Sequence, residues 1–180
     1  MDENGLERKN LRPGTGLRVT DGQTVEGYAS LFGLRDQGGD VVLPGAYAAS
    51  LKRLAARGEK VRMLWQHDPQ QPIGVWEEVR EDATGLWVKG RILPEVERGR
   101  EAAALLAAGA IDGLSIGYRT VKAERDGKGQ RLLAELELWE VSLVTFPMLR
   151  EARVAAKAED TIWRELAAQL ETARRELAER

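Results

Sequence analysis

Residues 113–145 read GLSIGYRTVKAERDGKGQRLLAELELWEVSLVT, and this stretch decides the fold. Two long runs flank Asp126-Gly127-Lys128-Gly129, a strong hairpin-turn signal. The spacing predicts strands over 113–123 and 131–145, the second closed by Pro147. In the second strand Leu132, Ala134, Leu136, Leu138, Glu140, Ser142 and Val144 share one face, while Glu135 and Glu137 take the other. Glu140 is thus the one carboxylate on an otherwise apolar face. A buried carboxylate without a partner is costly or becomes protonated. Glu140 therefore calls for an imidazole, or for an arginine in a structural pair, unless a bulge turns it outward.

Working outward, 17–20 and 25–32 read as strands around Asp21-Gly22, and 61–65 as a short apolar strand. Residues 73–79 and 86–93 read as a hairpin turning at 82–85, and 36–40 as a Gly-rich loop. Pro44 opens a helix over 45–56 that stops at Gly58; a second helix covers 94–108 and ends at Gly109. Residues 1–15 are polar and marked by Gly and Pro, as in a flexible N-terminal arm. Residues 155–180 carry no Gly or Pro. Trp163, Leu166, Leu170, Ala173 and Leu177 give them one narrow apolar helical seam, suited to an assembly contact or to packing on the parent domain. The organisation expected is an arm (1–15), a domain (16–154) and an amphipathic helix (155–180). The fold class is α+β, a mostly antiparallel, barrel-like sheet surrounded by helices.

Composition narrows the function. The chain has 180 residues, one domain's worth, with 43% hydrophobic and 31% charged residues. Net charge is −2, which argues against nucleic acid as the main partner. The absence of cysteine excludes thiol catalysis and thiolate metal sites, and a single histidine excludes a multi-histidine centre, so no metal centre of either kind is expected. The N-terminus does not read as a secretory signal, and the longest apolar run, 102–111, is half of a membrane span. A soluble intracellular protein without a membrane partner is expected.

His67 is the side chain whose ordinary pKa suits proton shuttling at neutral pH, and it follows a buried-looking strand at a turn. A lone histidine is more often structural, so its neighbours matter. The serines are Ser30, inside a strand, Ser50, on the solvent-leaning side of a helix, Ser115 and Ser142. Ser115 sits in Gly113-Leu114-Ser115-Ile116-Gly117, where flanking glycines free space around the hydroxyl. The string matches the G-x-S-x-G elbow of α/β-hydrolases, but those enzymes run Ser, acid, His, and no histidine follows Ser115. This argues against a generic esterase. A serine hydrolase survives only on a fold in which histidine precedes serine.

Six pieces, taken in order, carry a family resemblance. They are GYASLF at 27–32; Gly39-Asp40 with Pro44-Gly45-Ala46; LWQHD at 64–68 with Ile73-Gly74; GLWV at 85–88; GLSIGY at 113–118; and LWEVSLVTFP at 138–147. Over about 25–154 the chain resembles the prohead (capsid maturation) serine proteases of HK97-like tailed phages and gene transfer agents, a family similar in fold to the herpesvirus assemblins. The resemblance implies His67 as general base, Ser115 as nucleophile and Glu140 as the orienting acid. Assemblins use a histidine in the third place, and Glu137, Asp68 and Asp112 are the other carboxylates that could serve here. Backbone N–H groups must hold the oxyanion, with Gly113, Gly117 and the 36–40 loop as candidates.

The resemblance further implies a serine endopeptidase, working with no cofactor, that cleaves the scaffolding segment of the major capsid protein precursor, and itself. It would act in the bacterial host cytoplasm, inside the assembling procapsid; a homo-oligomer stays open. The competing reading is a non-catalytic capsid assembly or scaffolding protein on a degenerate protease fold. The family often continues after Pro147 with small residues and Asn, whereas this chain has Met148-Leu149-Arg150, which bears on the substrate groove.

Overall fold

A computed structural model describes residues 7–11, 18–20, 22–36, 38–127 and 129–146. The hairpin read from the sequence is its spine. Strand β8 (Gly113–Arg125) pairs antiparallel with β9 (Arg131–Val144) along nearly its whole length. Asp126 organises the turn: its backbone carbonyl accepts from Gly129 at 3.1 Å and its carboxylate from the Gln130 N–H at 2.8 Å.

The other strands are β1 (Glu7–Leu11), β2 (Arg18–Thr20), β3 (Thr24–Leu31), β4 (Asp40–Val42), β5 (Arg62–Trp65), β6 (Asp68–Glu81) and β7 (Gly85–Ile92). With β8 and β9 they form, among the described residues, one sheet of nine strands in the order β1-β8-β9-β5-β6-β7-β3-β2, with β4 joined to β9 off this path. Pairing is antiparallel except for β4 and β5, which run parallel to β9. The sheet curls until β3 meets β1 and β8, giving a half-barrel whose concave side holds Val25, Ile73, Leu86, Ile92, Ile116 and Val141. Trp76 crosses this core and donates its indole N–H to the Val141 carbonyl at 3.1 Å.

Helix α1 (Ala48–Arg57) packs on β9, and α2 (Glu97–Ala107) on β6 and β7. Residues 44–47 form a turn ahead of α1, which begins later than Pro44 suggests. No side chain of its own caps the helix; the Glu81 carboxylate reaches over from β6 to accept the N–H groups of Gly45 and Tyr47. Gly58 ends α1 as expected, with φ 65° and its N–H on the Ala55 carbonyl.

Four expectations are corrected. Glu7–Leu11 of the expected loose arm form β1, paired with β8. The Gly-rich loop runs into β4, a strand of three residues. The alternation along β9 changes phase twice: register shifts at Thr120/Lys122 and Lys122/Ala123 put Leu133 inside in place of Ala134, and a shift at Gly117/Tyr118 turns Glu140 and Ser142, opposite Gly117 and Ser115, to the other face from Leu136 and Leu138. Ser50 is buried rather than solvent-leaning, and its hydroxyl accepts the Leu138 N–H at 2.9 Å. The predicted helix over 155–180 lies outside the described residues.

Candidate active site

The site is assembled on β9, which has β8 on one side and β5 on the other. Because β9 is central, Glu140 to Val144 are buried without a break.

His67 arrives from β5. After Trp65 the chain turns through Gln66 (φ 52°) and His67 (φ 64°), two successive left-handed residues that are not glycine. Each costs on the order of 1 kcal/mol and needs local bonds to hold it. Those bonds are present. Gln66 donates its N–H to the Leu143 carbonyl at 3.0 Å, and its side-chain amide donates to Thr145 Oγ1 at 2.5 Å. His67 donates its backbone N–H to Ser142 Oγ at 3.1 Å.

The imidazole meets a carboxylate. His67 Nδ1 lies 2.6 Å from Glu140 Oε1, with the two side chains only 9% and 7% exposed. The other oxygen, Oε2, accepts the Ser142 hydroxyl at 2.5 Å. Glu140 is therefore turned inward with both oxygens bonded. With Nδ1–H committed to the carboxylate, Nε2 is the basic nitrogen left on the ring.

Ser115 is fully buried on β8, directly opposite Ser142 of β9. Gly117, two residues on, stands opposite Glu140. Directly opposed residues share a face, as do Glu140 and Ser142 two apart on one strand. The hydroxyl of Ser115 therefore belongs to the same face as the Glu140 carboxylate and the Ser142 hydroxyl, against which His67 is folded.

Gly117 has a definite task. A Cβ there would lie 2.1 Å from Glu140 Oε1 and 2.8 Å from its Cγ and Cδ. The carboxylate occupies the space that a side chain would take. Gly117→Ala is expected to push Glu140 off His67. Cleavage activity should fall at least about a hundredfold and stability by about 1–3 kcal/mol. Activity assays beside a thermal melt check both effects.

The other carboxylates lie elsewhere. Asp68 accepts from the Gln70 N–H at 2.8 Å and the Gln71 amide at 2.6 Å. Glu137 pairs with Arg119 at 2.5 Å. Asp112 precedes β8 by one residue. The 36–40 loop leads into β4, which pairs with β9 at Arg131–Leu133, nine or more residues from Ser142 and on the order of 30 Å along the strand. It is not placed to hold an oxyanion near Ser115. Ser142 is the functional position that sequence reasoning passed over. Its signal was present: it stands two residues after Glu140 on the same face and ties the acid to the backbone of His67. Among the described residues no group of three or more His, Asp or Glu could hold a metal, and no helix is long and apolar enough to cross a membrane.

The model of the family described as "Caudovirus prohead serine protease" matches residues 14–164. The prohead protease of Enterobacteria phage HK97 is 34% identical over 134 residues, 73% of this chain and 58% of that protein, so the chain spans less than two thirds of that relative's length. The structure of the bacteriophage T4 capsid assembly protease has a like fold, with a TM-score of 0.62 at 18% identity over 79% of this chain and 98% of that one. Since this family model matches residues 14–164, most of its length, the chain belongs to the caudovirus prohead serine protease family.

Proposed function

We propose that this chain is a serine endopeptidase that matures procapsids, with Ser115 as nucleophile, His67 as general base and Glu140 as the orienting acid. The observation that carries the reading is the buried His67–Glu140 pair, 2.6 Å long, on the strand that holds Ser115 in register. His67 Nε2 takes the Ser115 proton as the oxygen attacks a peptide carbonyl. Glu140 stabilises the imidazolium that forms and fixes its tautomer. The imidazolium then protonates the leaving amine, and water hydrolyses the acyl-enzyme by the same route. Glu140 is nearly dry and doubly hydrogen-bonded, so it acts as a fixed charge that needs no rearrangement during the reaction.

The substrates proposed are the scaffolding segment of the major capsid protein precursor and the chain itself, inside the assembling procapsid. The HK97 relative, named a prohead protease, supports this. No cofactor enters the mechanism. The sheet is read as an assemblin-like half-barrel, and 155–180 as an assembly contact beyond the catalytic domain.

Ser142 is the rival nucleophile to exclude. Its hydroxyl donates to Glu140 and accepts from the His67 backbone, so it is committed to positioning. A fluorophosphonate probe followed by peptide mapping decides the matter. The adduct is expected on Ser115, with labelling strongly reduced in His67→Ala. An adduct on Ser142, or labelling indifferent to His67→Ala, would overturn the assignment.

A further inference from the structure

The edge of β9 that carries β4 and β5 has a gap. Strand β4 occupies Arg131–Leu133 and β5 occupies Glu140–Leu143, and among the described residues no strand pairs with 134–139 on that side. The turn ahead of α1 and the helix itself patch the gap with one bond each: the Leu136 N–H donates to the Ala46 carbonyl at 2.9 Å and the Leu138 N–H to Ser50 Oγ at 2.9 Å. Beside the patch a groove of about 300 Å³ opens between the end of α1, the start of β5 and Trp139. Both N–H groups facing the gap are already bonded, so an occupant cannot dock here as an added strand. Recognition falls to side chains.

Those side chains have one dominant sign. Arg53, Arg57, Lys60 and Arg62 line the groove. Arg53 pairs with Glu135 at 3.4 Å, whereas Arg57, Lys60 and Arg62 make no ion pair among the described residues. Three uncommitted cations thus converge in a chain whose net charge is −2. The indole of Trp139 is 46% exposed at their edge, an apolar surface that an incoming chain would cover. Of the two acids in the lining, Glu137 is taken by Arg119, and Glu59 alone opposes the cations. A carboxylate amid the cations tolerates discrete acidic side chains better than a continuous phosphate backbone.

The groove is coupled to the reaction by position. Trp139 and Glu140 are neighbours on β9, so the groove borders the strand that carries the acid. We propose that this groove is an exosite that binds an acidic segment of the protein substrate, through Arg57, Lys60 and Arg62 with Trp139 as the apolar contact. The proposal rests on the endopeptidase reading and adds to it a class of substrate sequence away from the scissile bond.

The test separates binding from cleavage. In the full chain carrying Ser115→Ala, a short fluorescein-labelled glutamate-rich peptide is titrated by anisotropy at low salt, beside its glutamine counterpart. The glutamate peptide is expected to bind and the glutamine peptide not. Arg57→Glu with Lys60→Glu should weaken binding at least tenfold, Trp139→Ala severalfold, and Lys89→Glu, on β7 outside the groove, little. With Ser115 restored, the charge-reversed variant should raise KM for a substrate bearing an acidic flank and leave kcat unchanged. Equal binding by wild type and the charge-reversed variant, or no binding by either, would overturn the exosite. So would displacement by single-stranded oligothymidylate at lower concentration than by the unlabelled peptide, which would assign the groove to nucleic acid. Binding that appears only when residues 155–180 are removed would make this chain's own tail the occupant, and would overturn it equally. Failure of binding with cleavage intact removes the exosite alone; no cleavage by the wild type, whatever the peptide binding, removes the endopeptidase reading on which it rests.

Discussion

Ser115→Ala is expected to abolish turnover, by about 10⁶-fold on the scale of nucleophile removal in other serine proteases, while the fold stays intact. The substitution removes one oxygen from a fully buried position on β8 and leaves the β8–β9 ladder untouched. Its effect on stability should be about 1 kcal/mol, a few degrees in melting temperature. No neighbour can take over. Ser142, directly opposite, has its proton on Glu140 and its lone pair on the His67 N–H. Adding His67→Ala to Ser115→Ala should cost almost nothing more, because the two groups act as one unit. Peptide hydrolysis beside thermal melts measures both halves of the expectation. Residual activity within a hundredfold of wild type would mean that another nucleophile does the chemistry.

Glu140→Gln is expected to lower kcat about 10⁴-fold with little change in KM. Glutamine matches glutamate in shape, so the packing over Gly117 should survive. The hydrogen bonds would not. Both carboxylate oxygens are acceptors here, one from His67 Nδ1–H and one from the Ser142 hydroxyl. An amide offers one acceptor and one donor. Placing the NH₂ toward His67 forces the proton onto Nε2, which can then no longer accept from Ser115. Placing it toward Ser142 makes that hydroxyl turn and accept, so its proton loses the carboxylate that now fixes it. In either orientation the fixed negative charge that stabilises the imidazolium is lost. Glu137→Gln, three residues earlier on β9 and paired with Arg119, should remain within a few-fold of wild type. Equal losses in the two variants would show that charge on β9 matters generally and that the pairing with His67 does not.

The ease of reading differed along the chain for physical reasons. The β8–β9 hairpin, the β6–β7 hairpin and the glycine stop of α1 rest on local chemistry, and local chemistry is written in consecutive residues. Strand β4 is three residues long and finds its partner 91 positions later, so nothing near it announces a strand. The burial of Leu133 in place of Ala134 follows from bulges in the pairing with β8, which alternation within one strand cannot disclose. Ser50 faces inward because the gap in β9 needs an acceptor for the Leu138 N–H, a demand set by distant strands.

The same division holds at the site. His67, Ser115 and Glu140 stood out because each is a chemically unusual residue in its surroundings: the single histidine, a serine between glycines, a carboxylate on an apolar face. Their meeting at β9 is a property of the topology. The left-handed pair Gln66-His67 has no local signature, since neither residue favours that conformation and bonds to Ser142, Leu143 and Thr145 impose it. Ser142 was hidden by being ordinary. It joins the backbone of the base to the acid, and only the assembled strands show that.

The most direct test of the central claim follows intact masses over time in cells that co-express this chain with its capsid protein precursor, for wild type beside Ser115→Ala. Wild type is expected to shorten the precursor and itself at defined sites, while both remain full length with Ser115→Ala. The same truncations in the Ser115→Ala cells, or full-length masses throughout in both, would contradict it.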